Sequence, residues 1–86
     1  MKFIVTRHFE RCYRKLPSDI QKQTDAKLRL LAELPKQHPS LRVKRIQGTT
    51  DMWEASITMN YRFTFQISKE AIILRKIGKH EDVLGK

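Results

Sequence analysis

Cysteine and long apolar runs are scarce in this sequence, and their scarcity narrows the class of protein. Cys12 is the only cysteine in 86 residues, so an intramolecular disulfide is excluded, and no Cys/His spacing suits a structural zinc site. Charge interrupts the first 11 positions well before the roughly 20 apolar residues that a membrane span needs. Linkers, repeats and low-complexity stretches are also missing. We therefore expect one domain over residues 1–86, in the reducing cytoplasm, away from membranes and without a metal or cofactor.

Positive charge is the feature that the chain has in excess. It carries 18 Lys and Arg against 9 Asp and Glu, a formal net charge of +9. The first 40 positions hold nine basic and four acidic residues, and the remainder hold nine and five, so the charge belongs to the folded body and not to a tail. Such a surface favours phosphate backbones or acidic protein segments as partners, and charge alone does not separate the two.

The first half of the chain has the periodicity of helices. Residues 2–6 form a short apolar run that predicts a strand. Helical spacing then predicts an amphipathic helix over residues 8–16 and a second one, with Ser18 as its N-cap, that runs to about residue 34. The inward positions are Phe9, Cys12, Tyr13 and Leu16 on the first helix, and Ile20, Thr24, Leu28, Leu31 and Leu34 on the second. Together the two predict a helical hairpin that needs a sheet to cover.

After about position 40 the period changes to two, which is typical of strands. Strands are predicted over residues 41–46, 52–58, 61–67 and 71–77. Their short connections require antiparallel neighbours, because a parallel return needs a crossover of about a dozen residues. The sequence therefore predicts an α+β fold of order β-α-α-β-β-β-β, with the helical hairpin packed on a mainly antiparallel sheet.

Alternation within the last two strands predicts which side chains share a face. On the strand predicted over residues 61–67, the aromatic side chains should lie under the helices, and Arg62 should lie on the open face with Thr64 and Gln66. That aromatic set is Tyr61, Phe63 and Phe65, continued by Ile67. On the final strand, simple alternation groups Ile73, Arg75 and Ile77 against Ile72, Leu74 and Lys76.

Three segments together resemble a known family. They are G-x-x-D-x-W-E-A from Gly48 to Ala55, Y-R-F-x-F from Tyr61 to Phe65, and I-L-R-K-I-G-K-H-E-D-V-L from Ile73 to Leu84. In order, spacing and basic charge the chain resembles the RelE/ParE superfamily of type II toxin–antitoxin toxins, and its closing segment resembles the RelE and YafQ branch. The resemblance implies the RelE-like microbial ribonuclease fold and spans nearly the whole of residues 1–86.

The resemblance also implies a function. RelE-like members cleave messenger RNA in the ribosomal A site without metal and so inhibit translation, which makes an endoribonuclease the leading expectation. Its partners would be the ribosome, mRNA and a cognate antitoxin that lays an acidic, amphipathic segment over the basic surface. Two rival functions are a ParE-like toxin that inhibits DNA gyrase without nuclease activity, and a degenerate toxin that survives only as a binding module.

The resemblance assigns roles to particular residues. His80 stands where a histidine after the last strand takes part in catalysis, and Arg62 stands where an arginine holds the scissile phosphate. Lys44 and Arg45 fall in a region of catalytic or RNA-binding basic residues. The other RNA-binding candidates are Arg42, Arg75, Lys76 and Lys79.

Metal-independent RNA cleavage explains why these residue types suit the reaction. A base must take the proton of the 2′-hydroxyl, a cation must stabilise the phosphorane, and an acid must protonate the leaving 5′-oxygen. His80 suits the acid, and the planar fork of Arg62 suits the phosphorane. The base remains open among three residues, namely Glu54, Asp51 and Lys44.

Simpler interpretations compete with these roles. Arg62 would lie on the wet face of any amphipathic strand, and His80 and His38 could be solvated surface residues. Trp53 and Cys12 are expected to pack in the core. The chain also departs from the family, with Val83 and Leu84 where many RelE-type toxins carry an aromatic residue, and with Ser56 and Asn60 where YafQ-type toxins carry histidines or an aspartate.

Overall fold

The N-terminal strand and the helical pair follow the predicted order. In the computed structural model, which describes residues 2–33, 43–46, 48, 52–68 and 71–83, β1 spans Lys2–Val5, α1 Arg7–Arg14 and α2 Ser18–Glu33. Thr6 caps α1, since its Oγ1 accepts a hydrogen bond from the backbone N–H of Phe9 at 3.2 Å. The same hydroxyl donates to the carbonyl of Leu74 at 2.7 Å, so one side chain both starts α1 and attaches it to the sheet.

The second helix begins slightly differently from the prediction. The N–H of Gln21 donates to the carbonyl of Pro17 at 3.0 Å, so Pro17 accepts the first helical hydrogen bond and Ser18 lies inside the helix instead of capping it. Ile20, Thr24 and Leu31 are buried and Leu28 packs against the core, as the helical spacing predicts. The predicted positions at Leu34 and His38 lie outside the described residues.

Five strands form one mixed sheet. The remaining strands are β2 (Lys44–Arg45), β3 (Met52–Ser56), β4 (Tyr61–Ser68) and β5 (Ala71–Lys79), and the spatial order is β1-β5-β4-β3-β2. β2 to β5 pair antiparallel, as predicted, and β1 pairs parallel with β5. A short helix that the sequence did not predict, α3 (His80–Val83), follows β5 directly. The α+β fold of a helical hairpin on a mainly antiparallel sheet is thus confirmed.

A β-bulge in β5 overturns the predicted alternation of the last strand. Thr64 pairs with Lys76 whereas Phe65 pairs with Leu74, which leaves Arg75 as an extra residue on β5. An extra residue exchanges the two faces of a strand from that point on. Consequently Ile72, Leu74 and Ile77 are all buried, and the prediction that Ile77 shares a face with Ile73 and Arg75 is wrong.

The core lies between the helical pair and one face of the sheet. Phe63 and Phe65 are fully buried, and the ring of Phe9 on α1 meets that of Phe63 edge-on, with centroids 6.5 Å apart. Cys12, Trp53 and Tyr61 pack against this cluster, which confirms their predicted packing role. Ile67 is the exception on its face, since it is 41% exposed near the end of β4 although its partner on β5, Ile72, is buried. Within the described ranges, neither of the longer helices is apolar enough over a sufficient length to cross a membrane.

Candidate functional site

One end of the sheet carries an open cavity lined by basic side chains. Its volume is about 560 Å³, and its lining comes from the β3–β4 turn, the start of β4 and the junction of β5 with α3. The lining residues are Met59, Asn60, Tyr61, Arg62, Lys79 and His80. Antiparallel pairing explains why they meet: Tyr61 pairs with Lys79 and Arg62 with Gly78, so the start of β4 lies beside the end of β5. Arg62 and His80, which are distant in sequence, therefore line the same cavity.

The guanidinium of Arg62 is attached to the β3–β4 turn. Its Nη1 donates to the backbone carbonyl of Met59 at 2.8 Å and to that of Tyr61 at 3.2 Å, and it also bonds the carbonyl of Thr58. The side chain is half-buried. Arg62 is thus more than a solvated residue on the open face, because it also stabilises the turn that forms one wall of the cavity.

His80 is fixed through its backbone while its side chain stays exposed. As the first residue of α3, it donates its N–H to the carbonyl of Asn60 at 2.9 Å, which joins the two walls of the cavity. Val83 at the other end of α3 is buried, and its Cγ2 would lie 3.8 Å from a Cβ placed on Gly78. Because Gly78 pairs with Arg62, α3 packs over the open face of the sheet beside the cavity.

A buried carboxylate lies on the same open face. Glu54 on β3 is 2% exposed, and its Oε1 is 3.7 Å from the Nζ of Lys44, which is 71% exposed. Its Oε2 has no hydrogen-bond partner, which makes it the one such buried side-chain atom in the described part of the chain. Glu54 pairs with Lys44 on β2 and with Thr64 on β4, and Thr64 pairs in turn with Lys76 on β5. These four residues form a row across the sheet, and the next row on the same face, two residues along β4, contains Arg62.

The other predicted cations are distributed over different surfaces. Lys79 lines the cavity, and Lys76 is exposed in the row of Glu54. Arg45 pairs with Trp53, whose side chain packs into the core, so Arg45 lies on the opposite face from Lys44. Arg75 is exposed at the bulge. Arg42 and Asp51 lie outside the described residues.

Two features of this region were missed from the sequence. Met59 and Asn60 were predicted only as a tight connection, yet both line the cavity. Thr64 was predicted on an open face, yet it is buried, and its Oγ1 accepts a hydrogen bond from the N–H of Lys76 at 3.1 Å. An apolar Met in a short polar turn was the only available signal for the first, and nothing in the sequence indicated the second.

A second basic groove lies along α1, away from this cavity. It is lined by Arg7, Glu10, Arg11, Arg14 and Lys15, and Arg14 forms an ion pair with Glu10 at 3.0 Å. In the part of the chain that the structure describes, no three His, Cys, Asp or Glu side chains are grouped so that they could hold a metal ion.

A helical pair over one face of a five-stranded mixed sheet is the fold of solved toxin structures of the RelE, YoeB/ParE and YafQ types. Solved structures establish the likeness. YafQ from E. coli strain BL21(DE3) aligns over 98% of both chains with a TM-score of 0.83 at 8% identity. The YoeB/ParE toxin from Agrobacterium tumefaciens aligns over 93% of this chain and 99% of its own, with a TM-score of 0.80 at 16% identity.

A third likeness is to a toxin solved with its partner. The RelB–RelE antitoxin–toxin complex from Methanococcus jannaschii aligns over 95% of each chain, with a TM-score of 0.79 at 16% identity. No protein-family model and no curated protein matches the chain. The chain therefore has the fold of the RelE/ParE toxins, and the resemblance predicted from its sequence is confirmed at the level of the fold.

Proposed function

We propose that this chain is the toxin of a type II toxin–antitoxin pair and that it cleaves messenger RNA on the ribosome without metal, which stops translation. The observation that carries the proposal is the shared cavity of Arg62 and His80, with Lys79 beside them. Phosphodiester cleavage requires a cation that stabilises the phosphorane and an acid that protonates the leaving oxygen. A guanidinium and an imidazole that line one cavity can fill these two roles.

In the proposed reaction the 2′-oxygen attacks the adjacent phosphorus and the bond to the 5′-oxygen breaks, leaving a 2′,3′-cyclic phosphate and a free 5′-hydroxyl. Arg62 stabilises the charge on the phosphorane through the N–H groups of its planar guanidinium. His80 gives its proton to the departing 5′-oxygen. Its exposed ring and fixed backbone suit this task, because the donor must reach a bound substrate without losing its position.

For the base we favour Glu54. Its unpartnered Oε2 can accept a proton, and the row that contains Glu54 lies next to that of Arg62. Glu54 is buried, and in this step the neighbouring Lys44 moves away from it when RNA binds. The 3.7 Å contact between Lys44 and Glu54 is longer than a hydrogen bond and Lys44 is largely exposed, so this movement costs little. An RNA phosphate that attracts Lys44 would leave Glu54 to accept the 2′ proton.

The activity is tested by inducing the wild type, His80→Ala and Arg62→Ala in a bacterial host while translation rates and mRNA 5′ ends are followed. We expect codon-phased cleavage from the wild type and a loss of at least about 100-fold in each variant. Two matched controls carry the same substitution away from the cavity, namely His8→Ala on α1 and Arg29→Ala on α2, and both should cleave like the wild type. Arg62→Lys separates a structural loss from a chemical one, because it keeps a cation that can reach the turn.

Other results would contradict the nuclease. Intact mRNA with arrested DNA supercoiling would indicate a gyrase inhibitor, and a wild type without toxicity would indicate a degenerate binding module. Cleavage that persists in both His80→Ala and Arg62→Ala would remove the proposed site while leaving the activity.

The proposed partner is a short acidic antitoxin. Its support is the net charge of +9 together with the basic surfaces at the cavity and along α1. Coexpression with the product of the adjacent reading frame, followed by copurification and rescue of growth, tests it. A neighbour that is basic or that fails to bind would contradict the pairing.

A further inference from the structure

Met59 is the most exposed large hydrophobic residue in the described part of the chain. The residue is 86% exposed, against 54% for Val5, 46% for Ile4 and 41% for Ile67. It also lines the cavity together with Arg62, Lys79 and His80. An apolar side chain left in water among cations has no evident role in stabilising the fold.

The turn that presents Met59 is well ordered by hydrogen bonds. The N–H of Ile57 donates to the carbonyl of Tyr61 at 2.9 Å, and the Oγ1 of Thr58 accepts from the N–H groups of Asn60 and Tyr61, each at 3.2 Å. Arg62 closes the turn by donating to the carbonyl of Met59 itself. The exposure of Met59 is therefore a property of a fixed backbone that places the side chain at the cavity rim, so the backbone of the turn needs little ordering when a ligand binds.

We propose that Met59 is the platform on which a nucleobase of single-stranded RNA packs, directly beside the phosphate that the cations hold. This inference rests on the proposed function and names how that site contacts its substrate. A ligand complementary to this cavity carries a negative charge for the cations and, close to it, an apolar face for Met59. A nucleotide has both, in its phosphate and its base. The polarisable thioether of Met makes favourable contacts with aromatic rings.

The neighbouring apolar side chains are less available than Met59 for contact with a base. Val83, which follows His80 at a position where the family often carries an aromatic residue, is buried against Gly78 and does not line the cavity. Tyr61 lines the cavity, but it is half-buried and packed against the core. Met59 is the exposed apolar group among the described lining residues.

Binding to a non-cleavable RNA tests the inference separately from the nuclease. The probe is a short fluorescein-labelled 2′-O-methyl oligoribonucleotide, compared with an abasic oligonucleotide of the same length and charge. We expect the wild type to prefer the base-bearing probe by about 2- to 10-fold, and Met59→Ala to lose that preference while binding the abasic probe unchanged. Ile67→Ala, which removes another exposed apolar side chain at the far end of β4, should retain the preference.

A spectroscopic measurement reports the contact directly. With ¹³C-methyl-labelled methionine, the Met59 methyl signal, assigned from its absence in Met59→Ala, should move upfield when the base-bearing probe binds, because the methyl then lies over an aromatic ring. The abasic probe should leave it in place. Met52, which is half-buried on β3, provides an internal reference within the same sample.

Several outcomes would overturn the inference. They are a base preference that survives in Met59→Ala, a failure of both probes to bind at millimolar concentration, and an acidic peptide that shifts the Met59 methyl as strongly as the RNA does. Each is distinct from failure of the nuclease. If the protein binds the base-bearing probe through Met59 but cleaves no RNA, this inference holds and the catalytic proposal fails. If it cleaves RNA but shows no base preference that depends on Met59, the catalytic proposal holds and this inference fails.

Discussion

At the scale of single residues, Glu54 is the least expected feature of the molecule. A carboxylate at 2% exposure with one unpartnered oxygen lowers the stability of the fold, because a buried polar group without a hydrogen bond loses the solvation it had in water. Lys44 compensates weakly, since it is mostly solvated and 3.7 Å away. A buried polar atom without a hydrogen-bond partner is a candidate for function.

The first prediction follows from that conflict. Glu54→Met, which conserves side-chain volume and removes the buried charge, should raise the free energy of unfolding by about 1–2 kcal/mol, and should reduce RNA cleavage by about 100-fold or more. Urea denaturation with an unchanged m-value measures the stability, and mapping of mRNA 5′ ends measures the activity. Lys44→Met is the control and should not raise stability, because Lys44 is already solvated. A destabilised or fully active Glu54→Met would refute this account of the site.

At the scale of elements, one tyrosine joins the two long helices. The hydroxyl of Tyr13 on α1 donates to Oδ1 of Asp25 on α2 at 2.8 Å, and the side chain of Gln21 donates to the carbonyl of Tyr13 at 2.9 Å. The hydrogen bond to Asp25 raises the pKa of Tyr13 above its ordinary value of 10.0, with smaller contributions from burial and from the charge of Asp25. Ionisation of the phenol is disfavoured because the phenolate can no longer donate and is repelled by the carboxylate.

The second prediction concerns pH. A folded-state pKa raised above the unfolded value contributes stability that is fully present below about pH 10 and is lost as the pH rises through the raised pKa. Tyr13→Phe should therefore cost about 1 kcal/mol at neutral pH, and its urea midpoint should converge with that of the wild type in strongly alkaline solution. Asp25→Asn, which keeps an acceptor but removes the charge, should weaken the pH dependence. A difference between wild type and Tyr13→Phe that stays constant with pH would contradict the assignment.

Sequence patterns predicted most elements and missed the irregular ones. The alternation of Tyr61, Phe63 and Phe65 identified β4 and its buried face because the inward residues all pack in or against the hydrophobic core. The same reasoning failed on β5, since a bulge at Arg75 depends on the register with β4 and leaves no mark in local composition. The helix α3 was missed because it is only four residues long and its polar residues form no periodic pattern.

At the scale of the whole molecule, the net charge of +9 is divided among separate surfaces. Arg62, Lys79 and His80 meet at the cavity, whereas Arg7, Arg11, Arg14 and Lys15 line the groove on α1. Counterions are released from RNA only where a cationic side chain contacts a phosphate. The salt dependence of the binding affinity therefore measures how many such contacts the RNA makes with the protein.

The third prediction uses that count. If two phosphates are neutralised at the cavity by Arg62 and Lys79, the affinity for the 2′-O-methyl oligonucleotide should fall with salt at a log–log slope of about −1.4. Lys79→Gln should make the slope shallower by about 0.7, whereas Arg29→Gln on α2 should leave it unchanged. Fluorescence anisotropy over a range of salt concentrations provides the slopes. A slope that Lys79→Gln does not alter would show that the RNA binds elsewhere, and the groove on α1 would be the next surface to test.

The sequence alone determined the α+β class, the helical hairpin, the antiparallel strands and the excess of positive charge, because these depend on local periodicity and composition. The tertiary structure decided where the chemistry lies: it brought Arg62 and His80 into one cavity, buried Glu54 on the same sheet face as Arg62 and left Met59 exposed at the rim. Those relations depend mainly on strand register, which pairs residues far apart in the chain and so leaves no local pattern in the sequence.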